Sequence, residues 1–353
     1  MRYIRQTVLK EFGVAAQEKL FKAKVLVVGV GGLGIPVLQY LNAMGVGTLG
    51  LVEADTIDIT NLQRQVLYAE NEVGAPKLAT ALAKLQAQNS TTIFKPFHTF
   101  LTRENALDII AEFDLVVDAS DNFATRYLIN DACVLLKKTF VSGAIQGFEG
   151  QLSVFNYNGG PTYRCLFPTM PADSEIPNCN DNGVLGVIPG IIGNLQALET
   201  VKVITGIGEV LSGKLLLFNG LNQSYQKIKF NSVAENFLRS ELEKSYGSES
   251  CTSGLSISAL EFKEILEKNA VIQLIDVRTI AEYNEYHIPK SIHIPLSELE
   301  VHQSKIEKNT VAYVICQSGK RSAIAQHQLF DYNISVINID GGMNAYKGIS
   351  IAK

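Results

Sequence analysis

The sequence predicts an α/β protein of two domains, a doubly wound and mainly parallel sheet with an antiparallel extension, then a smaller α/β domain. Three observations carry this. Short β-branched runs alternate with helical patterns through the first two-thirds of the chain, which implies a parallel sheet with helices on both faces. A polar stretch rich in Ser and Glu, residues 240–254, then breaks the pattern. A second, shorter strand–helix alternation follows. The length agrees, since 353 residues make about two domains at roughly 150 residues each. The expected division is therefore residues 1–239, a linker at 240–254, and residues 255–353.

The elements follow in order. Val25–Val30 reads as a buried strand, Gly32–Met44 as a helix and Thr48–Glu53 as the next strand. Val25–Val52 holds no charge and is long enough to span a bilayer, but seven glycines, Pro36, Gln39 and Asn42 interrupt it. A buried strand–turn–helix–strand unit explains it better than a membrane span. Gly74–Gln88 reads as a helix with Pro76 near its first turn. Strands are expected at Leu115–Ala119 and Thr139–Gly143, with a helix at Asn122–Lys137 between them. Gly147–Tyr157 begins the antiparallel part, Leu166–Gly183 is a long loop, and Leu185–Ile204 is an apolar helix interrupted near Pro189. Lys214–Phe218 and Tyr225–Phe230 close the first domain as strands. In the second, Ser258–Lys268 and Ser322–Phe330 read as helices, and Val271–Ile275, Val311–Cys316 and Val336–Ile339 as strands.

Composition excludes several function classes. Hydrophobic residues at 46% and charged residues at 19% argue for a globular chain rather than a disordered one. A net charge of -4 gives no basic excess for nucleic acid or an anionic membrane. The N-terminal residues lack an apolar signal core, and five cysteines are too few and odd in number for a disulfide scaffold. Both point to a reducing, cytoplasmic setting.

Gly29-Val30-Gly31-Gly32-Leu33-Gly34 follows a strand and opens a helix, and Glu53 ends the next strand. This is the Rossmann-like dinucleotide fingerprint in its proper context: glycines let backbone approach a phosphate, and the carboxylate can hold ribose hydroxyls. Read alone it says NAD. Other residues at the same sheet edge say otherwise. Thr60-Asn61-Leu62-Gln63-Arg64-Gln65 follows the second strand, Lys77 opens the next helix, and Asp121-Asn122 follows a later strand. Arg64 and Lys77 can supply point charges for a triphosphate, and Asp121 can hold Mg²⁺. Each alone has a bland reading, as surface charge, solvated helix start or N-cap; an NAD enzyme needs none of them.

The segment from Arg2 to Phe230 resembles the MoeB/ThiF/HesA family, relatives of the ubiquitin-activating enzymes. The resembling strings are RYIRQ, VGVGGLG, TNLQRQ, GAPK, DASDN, GFEGQLSVF, YRCLFP and GVLGVIPGIIGNLQALE. The resemblance implies adenylation of the C-terminal Gly-Gly carboxylate of a small ubiquitin-like protein by Mg-ATP. It implies that Gly32 approaches the nucleotide, that Glu53 holds the ribose where the family usually has Asp, and that Asn61, Arg64 and Lys77 face the phosphates. It also implies that Asp121 takes the metal and that Arg5 reaches the site of a second subunit, hence a homodimer. A carboxylate attacking an α-phosphate brings anions together, so catalysis is charge neutralisation and alignment, with no general base.

Cys133 sits in a helical pattern and reads as core. Cys179, in the long loop, matches a family cysteine implicated in sulfur or acyl relay. Many family members hold zinc with two Cys-x-x-Cys pairs; here the strings are Thr162-Tyr163-Arg164-Cys165 and Ser248-Glu249-Ser250-Cys251. Two thiolates with a Thr and a Ser are a poor zinc set, so no structural zinc is expected.

Cys316-Gln317-Ser318-Gly319-Lys320-Arg321 joins an apolar strand to a helix. A thiol at the mouth of such a loop receives backbone N–H donors, the positive helix end and two cations, which favours anionic sulfur. The second domain resembles a rhodanese, on LIDVRTIAEYNEYHIPKSIHIPL, VICQSGKRSAIA and INIDGGMNAY. The resemblance implies a persulfide on Cys316, with Asp276 and Arg278 buttressing it; taken alone, those two read as a surface ion pair. His287 and His293 read as packing residues.

Together these readings describe an enzyme that activates a ubiquitin-like sulfur carrier ending in Gly-Gly, of molybdopterin-synthase type, and passes it persulfide sulfur. An upstream donor such as a cysteine desulfurase would load Cys316. The alternatives are a thiamine-pathway equivalent, an NAD-dependent oxidoreductase with an accessory rhodanese, and a non-catalytic carrier-binding module.

Overall fold

The structure, a computed structural model, describes residues 2–171, 183–246, 256–268, 272–307, 310–332 and 334–349. The chain forms two compact units, residues 1–246 and 247–353.

In the first unit the helices are α1 (Ile4–Thr7), α2 (Gly13–Lys22), α3 (Gly34–Met44), α4 (Lys77–Gln88), α5 (Ala106–Ala111), α6 (Phe123–Leu135), α7 (Tyr163–Leu166) and α8 (Val187–Thr205). The strands are β1 (Lys24–Val28), β2 (Thr48–Val52), β3 (Ile93–Phe97), β4 (Leu115–Asp118), β5 (Thr139–Gln146), β6 (Glu149–Phe155), β7 (Lys214–Asn219) and β8 (Ser224–Lys229). They form one sheet in the order β3-β2-β1-β4-β5-β6-β7-β8. β1 to β5 pair in parallel and β5 to β8 antiparallel. The period-2 geometry of a strand explains the apolar runs. Val25 and Val27 of β1 feed the core under α3 and α8, while Leu26 and Val28 feed the core under α5 and α6. Strand order reverses between β1 and β4, and a crevice at the carboxyl ends of those strands is where such sheets bind ligands.

Two sequence expectations change here. α8 is continuous through Pro189, which is the third residue of the helix, where no intrahelical N–H bond is lost. β3 was not expected: it carries Pro96 and is tolerated because it lies at the sheet edge. α8 is also long and apolar enough to cross a membrane by length and composition, yet Ile188, Ile192, Ala197 and Val201 are buried against the sheet. It is a core helix.

The first unit runs on to Tyr246, inside the stretch expected as linker. Asp131 is fully buried and accepts from Arg164 (Nε 2.8 Å, Nη2 2.9 Å) and from the Tyr246 hydroxyl (2.7 Å). Glu243 bonds both Arg164 and Arg239, so residues 239–246 are held to the body by charge-assisted bonds.

The second unit contains β9 (Ser256–Ser258), α9 (Ala259–Glu267), β10 (Gln273–Asp276), α10 (Ile280–Glu285), β11 (Ile292–His293), α11 (Leu299–His302), β12 (Ala312–Ile315), α12 (Lys320–Asp331), β13 (Val336–Asp340) and α13 (Gly342–Ile349). Its sheet is parallel throughout, in the order β11-β10-β12-β13-β9. Val314 faces one core and Tyr313 and Ile315 the other.

Candidate functional sites

At the carboxyl edge of the large sheet, the loop Gly29–Gly34 joins β1 to α3. Gly29 has φ +96°, and a Cβ there would lie 2.8 Å from the Ala119 carbonyl oxygen. A Cβ on Gly34 would lie 1.9 Å from the Gly29 oxygen. Those two glycines are required by the turn itself. Gly31 and Gly32 are half-buried and face the crevice; a Cβ on Gly32 would sit 3.1 Å from Pro189 and 3.4 Å from Arg64.

Glu53 is buried, and its carboxylate accepts from Val30 N (3.0 Å), Ala54 N (2.9 Å) and Asp55 N (2.9 Å). The residue expected to hold ribose therefore first clamps the glycine loop. A carboxylate has about four acceptor sites, so about one is left for a hydroxyl. Tyr68, which the sequence did not single out, grips the same loop from the other side: its hydroxyl donates to the Val30 oxygen at 2.9 Å. Burial beside Glu53 pushes the Tyr68 phenol well above its ordinary pKa, so it stays protonated as a donor.

The expected cations converge on this edge. Arg64 is half-buried, donating to Asn61 Oδ1 (2.6 Å) and the Thr60 oxygen (3.2 Å), both neutral. Thr60 is itself fixed by Asp58, which accepts from its N–H (2.8 Å) and hydroxyl (2.6 Å). Leu62 packs against the core, and Gln63 is exposed. The Gln63 carbonyl lies against Gly186 at the start of α8, where a Cβ would be 2.0 Å away. Lys77 is buried at the start of α4 with its ammonium 3.3 Å from Asp55. It is thus paired rather than free, though with an exposed partner that a phosphate can replace. Asp121 is exposed after β4, and Asn122 caps α6 by accepting from Thr125 N at 2.8 Å. Asn122, not Asp121, is the N-cap. Arg5 is exposed on α1. Cys179 lies outside the described residues.

Cys133 is fully buried in α6, and burial raises its thiol above the usual range, as expected of a core residue. Cys165 is half-buried and accepts from Val233 N (3.2 Å) and Asn236 Nδ2 (3.5 Å), with Thr162 Oγ1 at 3.3 Å. Ser248 and Cys251 lie outside the described residues. Among those described, no group of three or more His, Cys, Asp and Glu side chains is placed to hold a metal ion.

In the second unit Cys316 ends β12. The Gly319 N–H points at its sulfur (3.1 Å), and the Ser322 hydroxyl lies 3.4 Å away. Gly319, at φ +88°, makes this turn possible. One main-chain donor, the Gly319 N–H, meets the sulfur where several were expected, and the thiol is not at an open mouth: Cys316 is fully buried. Nor is Arg321 free beside it. Its guanidinium is bidentate to Glu282 (2.8 and 2.6 Å), and that pairing pulls the Glu282 carboxyl down to about 2. Lys320 opens α12. Ser318 completes the loop, and Gln317 bonds Asn344 Oδ1 (2.5 Å) and lies 3.4 Å from Arg278 Nη1. Asp276 and Arg278 form a fully buried pair with a 2.6 Å bond, not the surface pair their sequence alone suggested. Arg278 also donates to the Tyr286 oxygen at 2.7 Å. His287 and His293 each stack on Tyr283, as packing residues.

Known families match both domains. The ThiF family matches residues 3–237 and the rhodanese-like domain residues 258–349. The chain is 39% identical to the adenylyltransferase and sulfurtransferase MOCS3 of Arabidopsis thaliana, over 98% of this chain and 82% of that protein. It is 40% identical to a probable molybdopterin-synthase adenylyltransferase of Pyropia yezoensis, over 99% of this chain and 93% of that protein. Among solved structures, Escherichia coli MccB with ATP superposes with a TM-score of 0.59 at 24% identity, covering 65% of this chain and 72% of that one. The chain belongs to the ThiF family, with a rhodanese-like domain after the ThiF domain.

Proposed function

We propose that this chain adenylates the C-terminal glycine of a ubiquitin-like sulfur carrier and then delivers persulfide sulfur to it, giving a thiocarboxylate. The carrier is of the molybdopterin-synthase type, a reading favoured by the names of the relatives over the thiamine-pathway equivalent. The observation that carries the proposal is the pairing, in one chain, of a cationic crevice at a glycine loop with a cysteine whose sulfur meets the Gly319 N–H and the Ser322 hydroxyl.

The crevice suits ATP. Gly31 and Gly32 let the phosphates approach the backbone, and Arg64, Asn61 and Lys77 meet them, Lys77 leaving Asp55. Thr60, Leu62 and Gln63 hold the segment that carries Arg64. The last acceptor site on Glu53 is left for ribose. Asp121, exposed at the same edge, is a carboxylate suited to Mg²⁺, which neutralises phosphate charge when bound. An NAD enzyme requires neither Arg64 nor Asp121 here.

The carrier carboxylate, already ionised, forms a bond from oxygen to the α-phosphorus as pyrophosphate leaves. The terminal sulfur of a Cys316 persulfide then attacks the acyl carbon and AMP leaves. The product is an acyl disulfide, so releasing the thiocarboxylate requires a thiolate to attack the Cys316 sulfur. Cys179 fits that relay role, and a dithiol must afterwards reduce the disulfide formed. Tethering both domains raises the effective concentration of sulfur near a hydrolysable adenylate. A homodimer with Arg5 completing the partner's site, a cytoplasmic setting and a persulfide donor such as a cysteine desulfurase complete the reading.

Structural zinc does not fit. Of the four expected positions Thr162 supplies a hydroxyl, and the Cys165 thiol is occupied by Val233, Asn236 and Thr162. Metal analysis should find no stoichiometric zinc; one zinc per chain, lost with stability in chelator, would overturn this. The function itself is tested by ATP–pyrophosphate exchange that depends on a purified Gly-Gly carrier.

A further inference from the structure

Several arginines are matched to carboxylates, whereas Arg64 rests on the neutral groups of Asn61 and Thr60. Arg164 and Arg239 share Asp131 and Glu243, Arg278 takes Asp276, and Arg321 takes Glu282. Arg126 differs. It lies in the first turn of α6, five residues after Asp121, and no ion pair holds it among the described residues. Its Nη2 donates to the Ser120 oxygen at 3.2 Å, and its guanidinium lies 5.6 Å from the Phe123 ring centre. Its Nε is buried without a hydrogen bond of good geometry, and the neutral Tyr163 hydroxyl is the polar group beside the guanidinium. The nearby carboxylate, Asp118, is already engaged: one oxygen accepts from Ser120 N and Oγ, the other from Ser142 Oγ at 2.8 Å. Arg126 opens on a small cavity lined also by Ser142, Gln151, Ser153 and Tyr163. Ser120 in turn lies against Gly29 at the phosphate loop.

A buried guanidinium N–H without an acceptor is costly unless a ligand supplies one. The ligand that the proposed reaction brings to this edge, besides the nucleotide, is a carboxylate. We infer that Arg126 receives the C-terminal carboxylate of the carrier and aligns it toward the α-phosphorus. This rests on the adenylation reading above. The guanidinium can bind the carboxylate in a bidentate geometry and offset its repulsion from the phosphates, whose own cations are Arg64 and Lys77. One oxygen of the carboxylate bonds to phosphorus, the bond to the leaving pyrophosphate oxygen breaks with its electron pair, and no proton moves. Arg126 would therefore be a carboxylate ligand rather than a nucleotide ligand.

The test compares wild type with Arg126→Gln and Arg126→Lys in carrier-dependent ATP–pyrophosphate exchange, and measures binding of a non-hydrolysable ATP analogue. Removing such a charged ligand should lower kcat/KM for the carrier by about 100-fold or more, with Arg126→Lys recovering part of it. Affinity for the ATP analogue should change by less than about threefold. The discriminating measurement is binding of the carrier against the same carrier ending in a primary amide. Wild type should prefer the acid by about tenfold or more, and Arg126→Gln should lose that preference. If Arg126→Gln still prefers the acid as wild type does, the inference is wrong, whatever its effect on stability. If wild type shows no exchange with a Gly-Gly carrier, the adenylation reading fails instead.

Discussion

Arg64 and Arg321 stand at the two candidate sites in opposite conditions. Arg64 leans on the neutral amide of Asn61 and the carbonyl of Thr60, whereas Arg321 is bound through both nitrogens to Glu282. Arg64, at the crevice of the large sheet, thus has no carboxylate partner, and the proposed reaction would bring it a phosphate. At the sulfur loop the guanidinium is spent on the scaffold, and the sulfur is met by the Gly319 N–H and the Ser322 hydroxyl. Phosphate carries its charge permanently and is attracted by side-chain cations; sulfur inside a tight loop can be served by fixed dipoles such as the Gly319 N–H and the Ser322 hydroxyl. The same residue type does different work because of one carboxylate.

The largest effects should separate the two halves completely. Cys316→Ser should abolish thiosulfate:cyanide sulfur transfer and thiocarboxylate formation while leaving carrier-dependent exchange intact. Lys77→Ala and Asp121→Ala should each lower exchange by about 100-fold or more and leave thiosulfate:cyanide transfer unchanged. Full exchange in both would remove the crevice from the reaction. Cys179→Ser should spare both partial reactions and slow only thiocarboxylate release; a normal rate would end the relay role.

A stability effect in the first domain alone comes next. Gly34→Ala places a methyl where 1.9 Å separates it from the Gly29 oxygen, so the phosphate turn must move. Calorimetry should show a loss of about 3 kcal/mol in the ThiF domain, with ATP binding lost alongside it. Unchanged melting would mean the turn is looser than described.

The smallest effect tests the arginine contrast through pH. Glu282 has its carboxyl pulled down to about 2 by Arg321, so the pair stabilises the fold above the ordinary carboxylate pKa and is lost as pH falls toward 2. Allowing for solvent screening, it should contribute about 1 kcal/mol at neutral pH. Melting of the rhodanese-like domain should therefore fall between about pH 4.5 and 2 in wild type, and fall less in Glu282→Gln. Parallel profiles would show that the pair contributes nothing.

Much of this was legible in the sequence because it is local. Apolar runs gave most strands of both sheets but not β3, β9 or β11, and the glycine spacing gave the turn between β1 and α3. What stayed hidden depends on distant partners or on position. Pro96 masked an edge strand, and Pro189 looked like a break although it lies in a first turn. Glu53 reads as a ribose ligand, but its clamp on Val30 N, 23 residues away, leaves no mark in the sequence. Glu282 is visible as part of a Thr-x-x-Glu cap, yet its second partner is 39 residues off. Arg126 gives no signal at all, because what marks it is that its nearby carboxylate, Asp118, is taken up by Ser120 and Ser142. The Asp276–Arg278 spacing was read correctly as a pair, but burial is a tertiary property.

The central claim, that one chain activates and sulfurates a carrier, is tested most directly by intact mass of the carrier. Purified protein is loaded with thiosulfate and given Mg-ATP, a dithiol reductant and a Gly-Gly carrier. The account predicts a carrier mass raised by exchange of one oxygen for sulfur, dependent on ATP, absent with Asp121→Ala, and absent with Cys316→Ser even though pyrophosphate exchange persists. Sulfur incorporation without ATP, or undiminished incorporation by Cys316→Ser, would contradict it.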